Sequence, residues 1–373
     1  MITDMKSTPL ITVVIPTYNG SLTIKDTLDS IVYQDHKNVE IIISDDNSTD
    51  NTLEICQTFK NKLDITIYKN LMNEGYSKNV NKGFKYSNGD FIFLLGQDDL
   101  IAKRGFELIK KIIENNPEVT CISRPYFWFE SNPFKIVRQK KRLVGNDLNF
   151  TYVNMSSELK LISNLVSTTD QLSGLVFKKS AVSHDFHEDS FTSHVYPFTS
   201  CFVSGEAVIV PYNFIAVRIE SSQARNISSV YDKSPIISWK VWLDTFFPID
   251  NYPLIHKYLI RHLIVNFGIG LLQIRNYSSK SLTYTLREVF FMIKFRWLVI
   301  FNVRFILVLI LILSMPKKML RVFVDLTKRS ANRLIIKRNF KSFPNLDSWR
   351  ESAVPENYLG EVLSSARQRR NIK

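Results

Sequence analysis

The chain has 373 residues, 45% of them hydrophobic and 22% charged, with a formal net charge of +13. That excludes a wholly disordered chain and leaves room for one large domain or two ordinary ones. The three cysteines, Cys56, Cys121 and Cys201, lie far apart, which excludes a disulfide framework and a cysteine metal site and fits a reducing compartment.

The positive balance points to polyanions as partners: nucleic acid, nucleotide phosphates or anionic lipid. It is uneven, because residues 328–373 hold eleven Lys/Arg against four Asp/Glu, a net of +7. No apolar run follows the charges of the first ten residues, so no signal peptide is visible and the chain is expected to start in the cytosol.

Along the chain, "ITVVI" (11–15) is a β-branched apolar run stopped by Pro16, which predicts a buried strand. A helix follows, with Ser21 as a cap and Ile24, Leu28, Ile31 and Val32 on one face. "VEIIIS" (39–44), "DITIY" (64–68) and "FIFLL" (91–95) predict further strands, separated by helices over "NSTDNTLEICQTF" and "GYSKNVNKGFKYSNGD". This β-α-β-α-β-α-β order predicts an α/β fold, a Rossmann-like and mostly parallel sheet with helices on both faces. Ligands of such sheets bind at the carboxyl ends of the strands. Pro16, Thr17, Tyr18 and Asn19 stand at the first such end, Asp45 and Asp46 at the second, Gln97, Asp98 and Asp99 at the fourth.

"PTYNGS" has neither GxGxxG nor a Walker lysine, which argues against a dinucleotide site or a P-loop. A bound diphosphate then needs another cation. Two adjacent carboxylates at the end of a buried strand are costly unless paired, and hard divalent cations prefer such oxygens. Asp98 and Asp99 are therefore candidate metal ligands, with helix capping as the alternative.

Three stretches, "ITVVIPTYNG", "IIISDDNSTDNT" and "NEGYSKNVNKGFKYSNGDFIFLLGQDD", together resemble the family 2 glycosyltransferases, which have the GT-A fold. The nearest likeness is to sugar transferases of bacterial O-antigen and surface-polysaccharide assembly. The resemblance implies that Pro16, Thr17 and Tyr18 border the nucleotide and that Asp46 bonds the base edge. It implies that Asp98 and Asp99 hold Mn²⁺ or Mg²⁺ on the donor diphosphate, Asp98 touching the donor side. Gly96 stands where the family often has a first acid. Lys78 takes the place of a donor-binding Arg, although Val80 occupies that place in another register. Arg218 and Arg225 are further candidates for the diphosphate.

An inverting transferase needs a base for the acceptor hydroxyl. Asp189 of "FHED" is the first choice, and His194 is the candidate in the register counted back from Pro211. His184 and His187 read as loop histidines; a zinc site on His-x-x-His-Glu-Asp has the wrong spacing.

From Trp239 the chain turns apolar and aromatic. The run Leu298–Met315 is near spanning length but contains Asn302 and Arg304, and Lys294, Arg296, Lys317, Lys318 and Arg321 flank it. A helix lying in the bilayer surface, a spanning helix and a helix packed on the catalytic domain all fit. The resulting division is a GT-A domain over 1–228, a helical membrane-association region over 229–325 and a basic tail over 326–373, whose last residues, 365–373, are expected to be flexible.

The expected activity is inverting, metal-dependent transfer of a sugar from a nucleotide sugar to a glycan or lipid-linked glycan acceptor. The work is expected at the cytoplasmic face of the cell membrane, by a peripheral or monotopic protein. An inactive GT-A-fold assembly partner is the alternative. Nucleic-acid binding is disfavoured, because the basic excess follows apolar sequence rather than an aromatic-interleaved stripe.

Overall fold

The computed structural model describes residues 9–34, 37–131, 134–139, 149–221, 226–324, 326 and 345–372. The first half carries β1 (Ile11–Thr17), α1 (Ile24–Val32), β2 (Val39–Asp45), α2 (Thr52–Gln57), β3 (Ile65–Lys69), α3 (Tyr76–Tyr86) and β4 (Phe91–Leu94). It continues with β5 (Leu100–Ile101), α4 (Gly105–Asn115), β6 (Val119–Ser123), β7 (Tyr126–Ser131), β8 (Phe134–Gln139) and β9 (Thr151–Val153). Then come α5 (Leu159–Thr168), β10 (Val176–Lys178), α6 (Val195–Ser204), β11 (Glu206–Ile209) and β12 (Ile215–Arg218). Helices α7 (Pro235–Phe246), α8 (Pro253–Asn266), α9 (Gly268–Tyr277), α10 (Ser281–Phe295) and α11 (Val303–Ser314) follow. Next are α12 over 317–324, α13 (Leu346–Ser352) and α14 (Tyr358–Ile372).

The main sheet has the order β3-β2-β1-β4-β10-β6-β11-β9. β1, β2, β3 and β4 pair in parallel, as do β6 and β11, while β10 runs antiparallel between β4 and β6. This is the α/β, GT-A-like fold, a mostly parallel sheet flanked by helices. The strands read as continuous apolar runs because both faces are covered. Side chains alternate between them: Val13, Ile15 and Phe93 join the core under α1, α2 and α4, while Val14, Ile92 and Leu94 join the core under α3, α5 and α6. A second sheet, β5-β12-β7-β8, lies beyond the carboxyl ends of β4 and β6 in chain order.

Helix α1 begins at Ile24 without a side-chain cap, and the amide of Ser21 instead donates to Asp50. The run 119–129 is divided at Arg124-Pro125 between the two sheets, since proline withholds a ladder donor. The apolar region is not set apart from the catalytic domain, because Trp242, Leu243 and Phe246 of α7 and Leu259 of α8 share a core with α3, α5 and α6. Within the basic tail, Trp349, Val354, Tyr358 and Val362, on and between α13 and α14, are buried in the core under α4.

Asn302 breaks the Leu298–Met315 run, its side chain accepting from the amide of Phe305 at 3.1 Å to start α11. Twelve residues of helix extend about 18 Å, against about 30 Å of bilayer hydrocarbon. Among the described residues no helix is long and apolar enough to cross a membrane, which removes the spanning reading.

Candidate donor and acceptor site

The carboxyl ends of β1, β2 and β4 form one rim. Tyr18 and Gln97 close it between β1 and β4: the Tyr18 amide donates to Gln97 Oε1 at 2.9 Å, and Gln97 Nε2 donates to the Tyr18 carbonyl at 3.1 Å. The Tyr18 side chain stays 45% exposed, a free aromatic face on the rim. Pro16 is half-buried in the β1–β2 pairing, and Thr17 is buried with its hydroxyl donating to Asp45 Oδ1 at 3.0 Å.

Asp45 and Asp46 serve the loops. Asp45 accepts from the Ser48 hydroxyl at 2.5 Å and the Ser48 amide at 2.8 Å, which fixes the turn after β2. Buried Asp46 accepts from the Glu74 and Gly75 amides, both at 2.8 Å, and from Asn70 Nδ2 at 2.9 Å. Gly75, at φ +87°, takes a turn there that L side chains rarely adopt. Asp46 thus anchors the entry of α3, where the resemblance has it on the base. Lys78 is exposed on the first turn of α3, whereas Val80 is fully buried.

Asp98 and Asp99 follow β4 and precede the short strand β5, so neither caps a helix. Both turn toward one spot: a Cβ placed on Gly96 would lie 2.9 Å from Asp99 Oδ2 and 3.0 Å from Asp98 Oδ1. Glycine is what lets the two carboxylates converge. Buried Asp99 accepts from the Arg218 amide at 2.9 Å through Oδ1, and from the Ser173 hydroxyl and Gln171 Nε2 through Oδ2. Asp98 is half-buried. Burial raises the pKa of both carboxyls, that of Asp99 strongly, and the neighbouring Asp98 charge raises Asp99 further.

Arg218 is buried and does not reach outward. Its Nε donates to the Asp98 carbonyl at 3.1 Å, its fork reaches Ser131, and Nη2 pairs with Asp26 at 2.8 Å. It positions the acid pair from its own strand. Arg225 lies outside the described residues.

The loop 168–174 brings in groups that sequence reasoning missed. Fully buried Arg124 donates to the carbonyls of Ser173, Gln171 and Thr168 at 2.5, 2.8 and 3.2 Å; burial pulls its pKa down to about 10, still charged at neutral pH. Ser173 and Gln171 then touch Asp99, and exposed Asp170 accepts from Tyr126 at 2.6 Å. The one sequence signal was a lone arginine before proline inside an apolar run.

His194 packs under this loop. Its Nε2 faces the Thr169 carbonyl at 2.9 Å and must donate, so Nδ1 accepts from the Tyr76 hydroxyl at 3.0 Å. Burial brings its pKa down to about 4. A neutral ring with both nitrogens engaged ties α3 to the loop. Asp189 accepts from the Phe191 amide at 2.9 Å and the Ser238 hydroxyl at 2.6 Å. His187 stacks on Tyr196, with ring centroids 4.4 Å apart, and His184 packs on Phe246.

Two hard-oxygen carboxylates aimed at one point, with a raised pKa that a dication would relieve, fit Mg²⁺ or Mn²⁺. Among the described residues no group of three or more His, Cys, Asp or Glu could hold a metal, so most ligands would have to come from phosphate and water.

Residues 12–175 match the model of the family described as "Glycosyl transferase family 2". The poly-beta-1,6-N-acetyl-D-glucosamine synthase of Staphylococcus epidermidis is 28% identical over 167 residues, 44% of this chain and 38% of that protein. The synthase of that name from Staphylococcus aureus strain COL is 27% identical over 174 residues, 46% of this chain and 40% of that protein. The chain thus spans about two fifths of the length of these curated relatives. The crystal structure of S. aureus TarS 1-349 in complex with UDP-GlcNAc is 15% identical, covers 89% of this chain and 91% of that chain, and has a TM-score of 0.57. That likeness is one of fold.

Proposed function

We propose, from the match of residues 12–175 to the model of glycosyl transferase family 2, that the chain transfers a sugar, with inversion, from a nucleoside-diphosphate donor to a saccharide acceptor. The relatives' names support synthesis of a surface polysaccharide. The observation that carries the reading is the convergence of Asp98 and Asp99 above Gly96, on the rim that also exposes Tyr18. Tyr18 offers its ring to the base, and Lys78 offers a cation near the phosphates. Asp98 would hold Mn²⁺ or Mg²⁺, with Asp99 oriented behind it; the metal supplies neutralisation of the departing diphosphate.

Asp189 is the proposed base. A carboxylate with two neutral hydrogen bonds keeps lone pairs for a third, whereas His194 has no nitrogen to spare. The acceptor is proposed to be lipid-linked and met at the cytoplasmic face of the membrane, which the apolar, basic helices α10–α12 support.

The test is a screen of UDP-, GDP- and dTDP-sugars for Mn²⁺- or Mg²⁺-dependent binding and hydrolysis. One donor is expected to bind and turn over, and the double variant Asp98→Asn/Asp99→Asn is expected to lose the metal dependence. Asp189→Asn is expected to lower turnover about 10²–10⁴-fold while nucleotide binding persists. A double variant indistinguishable from the parent overturns the site.

A further inference from the structure

We infer that the outer face of α10–α12 is a docking surface for an anionic lipid bilayer. On α10, Leu282, Leu286, Phe290 and Ile293 are exposed at helical spacing, while Val289 and Met292 are buried on the opposite side. The acid of this helix, Glu288, is turned inward, where it accepts from the Ser234 hydroxyl and the Ile236 amide at the start of α7. On α11, Val303, Leu307, Ile310 and Leu313 are exposed, and Phe305 and Ile312 are buried. The link between the two helices is the most open part: Trp297 is 61% exposed, Phe301 67% and Val303 68%. On α12, Met319, Val322 and Phe323 are exposed while Leu320 and Val324 are buried.

The inward side chains make a third, separate core with Ile264 and Leu271, so these helices already have a packed side. What they present outward is a second apolar side. Soluble monomers rarely expose a contiguous apolar patch beyond a few hundred Å², and bringing each Leu or Phe out of water is favourable. The face therefore calls for a cover.

Charge identifies the cover. From Val289 to Val324 the sequence has six Lys/Arg and no Asp or Glu. Lys294, Arg304 and Lys318 are exposed among the apolar side chains. Arg321 stacks on Tyr277, and Lys317 donates to the Ser278 carbonyl, yet both remain exposed. A second copy of this face would bring like charges together. A bilayer with anionic headgroups accepts the apolar stripes into its outer acyl zone and pairs each cation. Tryptophan and phenylalanine at the link suit the headgroup boundary. Since no described helix is long enough to cross, the face lies on one leaflet. This surface stands on its own observations and does not depend on sugar transfer.

The experiment is flotation of the full chain with phosphatidylcholine vesicles, with and without phosphatidylglycerol, and without any nucleotide sugar. The parent is expected to float with phosphatidylglycerol vesicles. Phe290→Ser/Phe301→Ser/Leu307→Ser, all at exposed positions, is expected to lower partitioning about 100-fold at any salt concentration. Lys294→Gln/Arg304→Gln/Lys318→Gln is expected to remove the preference for phosphatidylglycerol. A parent that stays in the aqueous phase, or that floats equally with both vesicles, overturns the inference. So does a concentration-dependent dimer that the apolar triple variant dissociates, which would make a second copy the occupant. Failure in flotation leaves nucleotide-sugar turnover untouched, so the two readings fail separately.

Discussion

At Asp99 both carboxylate oxygens already have partners within the protein, and the half-buried carboxylate beside it belongs to Asp98. Burial and this neighbouring charge hold the Asp99 carboxyl above its ordinary range. A raised folded-state pKa means that the folded chain binds more protons than the unfolded chain between the two values. The stability contributed is then highest at low pH and falls as pH rises through that window. Asp99→Asn keeps an acceptor for the Arg218 amide and removes a buried charge. It is therefore expected to melt higher than the parent at neutral pH without metal, and to lack the upward shift with Mn²⁺ that the proposed site predicts for the parent. Thermal melts with and without Mn²⁺ check this; a variant that melts lower without metal would count against the account. Function here opposes stability, a common arrangement at charged sites. The acid pair was legible in the sequence because two acids ending an apolar strand are unusual. The loop bonds of Asp46 were not, because its partners, the Glu74 and Gly75 amides, arrive from a turn that only the fold brings close.

Among the elements, β1, β2 and β4 were plain to read, since strands covered on both sides are unbroken apolar runs. Helices α13 and α14 were hidden by the basic residues of the tail around Trp349, Val354 and Val362. Trp349 is fully buried, its ring meets Phe127 edge to face at 5.4 Å, and its Nε1 donates to the Asn213 carbonyl at 2.8 Å. Trp349→Ala is expected to cost about 3–5 kcal/mol, read as a lowered urea midpoint, with the folded fraction still binding nucleotide. A change below about 1 kcal/mol would mean that α13 does not share the core.

For the whole molecule, two cores cover the faces of the main sheet and a third serves the apolar helices. The three regions expected from sequence are not three bodies: α7 and α8 are built into one core of the main sheet, and α13 and α14 return to the other. Hydropathy found the apolar stretch but could not divide it, because helices that face a protein core and helices that face outward are equally rich in Leu, Ile and Phe.

The return of α13–α14 has a practical outcome. Lys103 bonds the Arg350 carbonyl and pairs with Glu351, and Tyr212 bonds Glu361, so the chain is fastened on both sides of its apolar excursion. The greasy helices are a handle riveted at two points, not a streamer at the end. A stop codon placed before α10 to obtain a better-behaved catalytic fragment would also pull out the Trp349 plug. The way to trim this protein is to excise the handle and splice the gap.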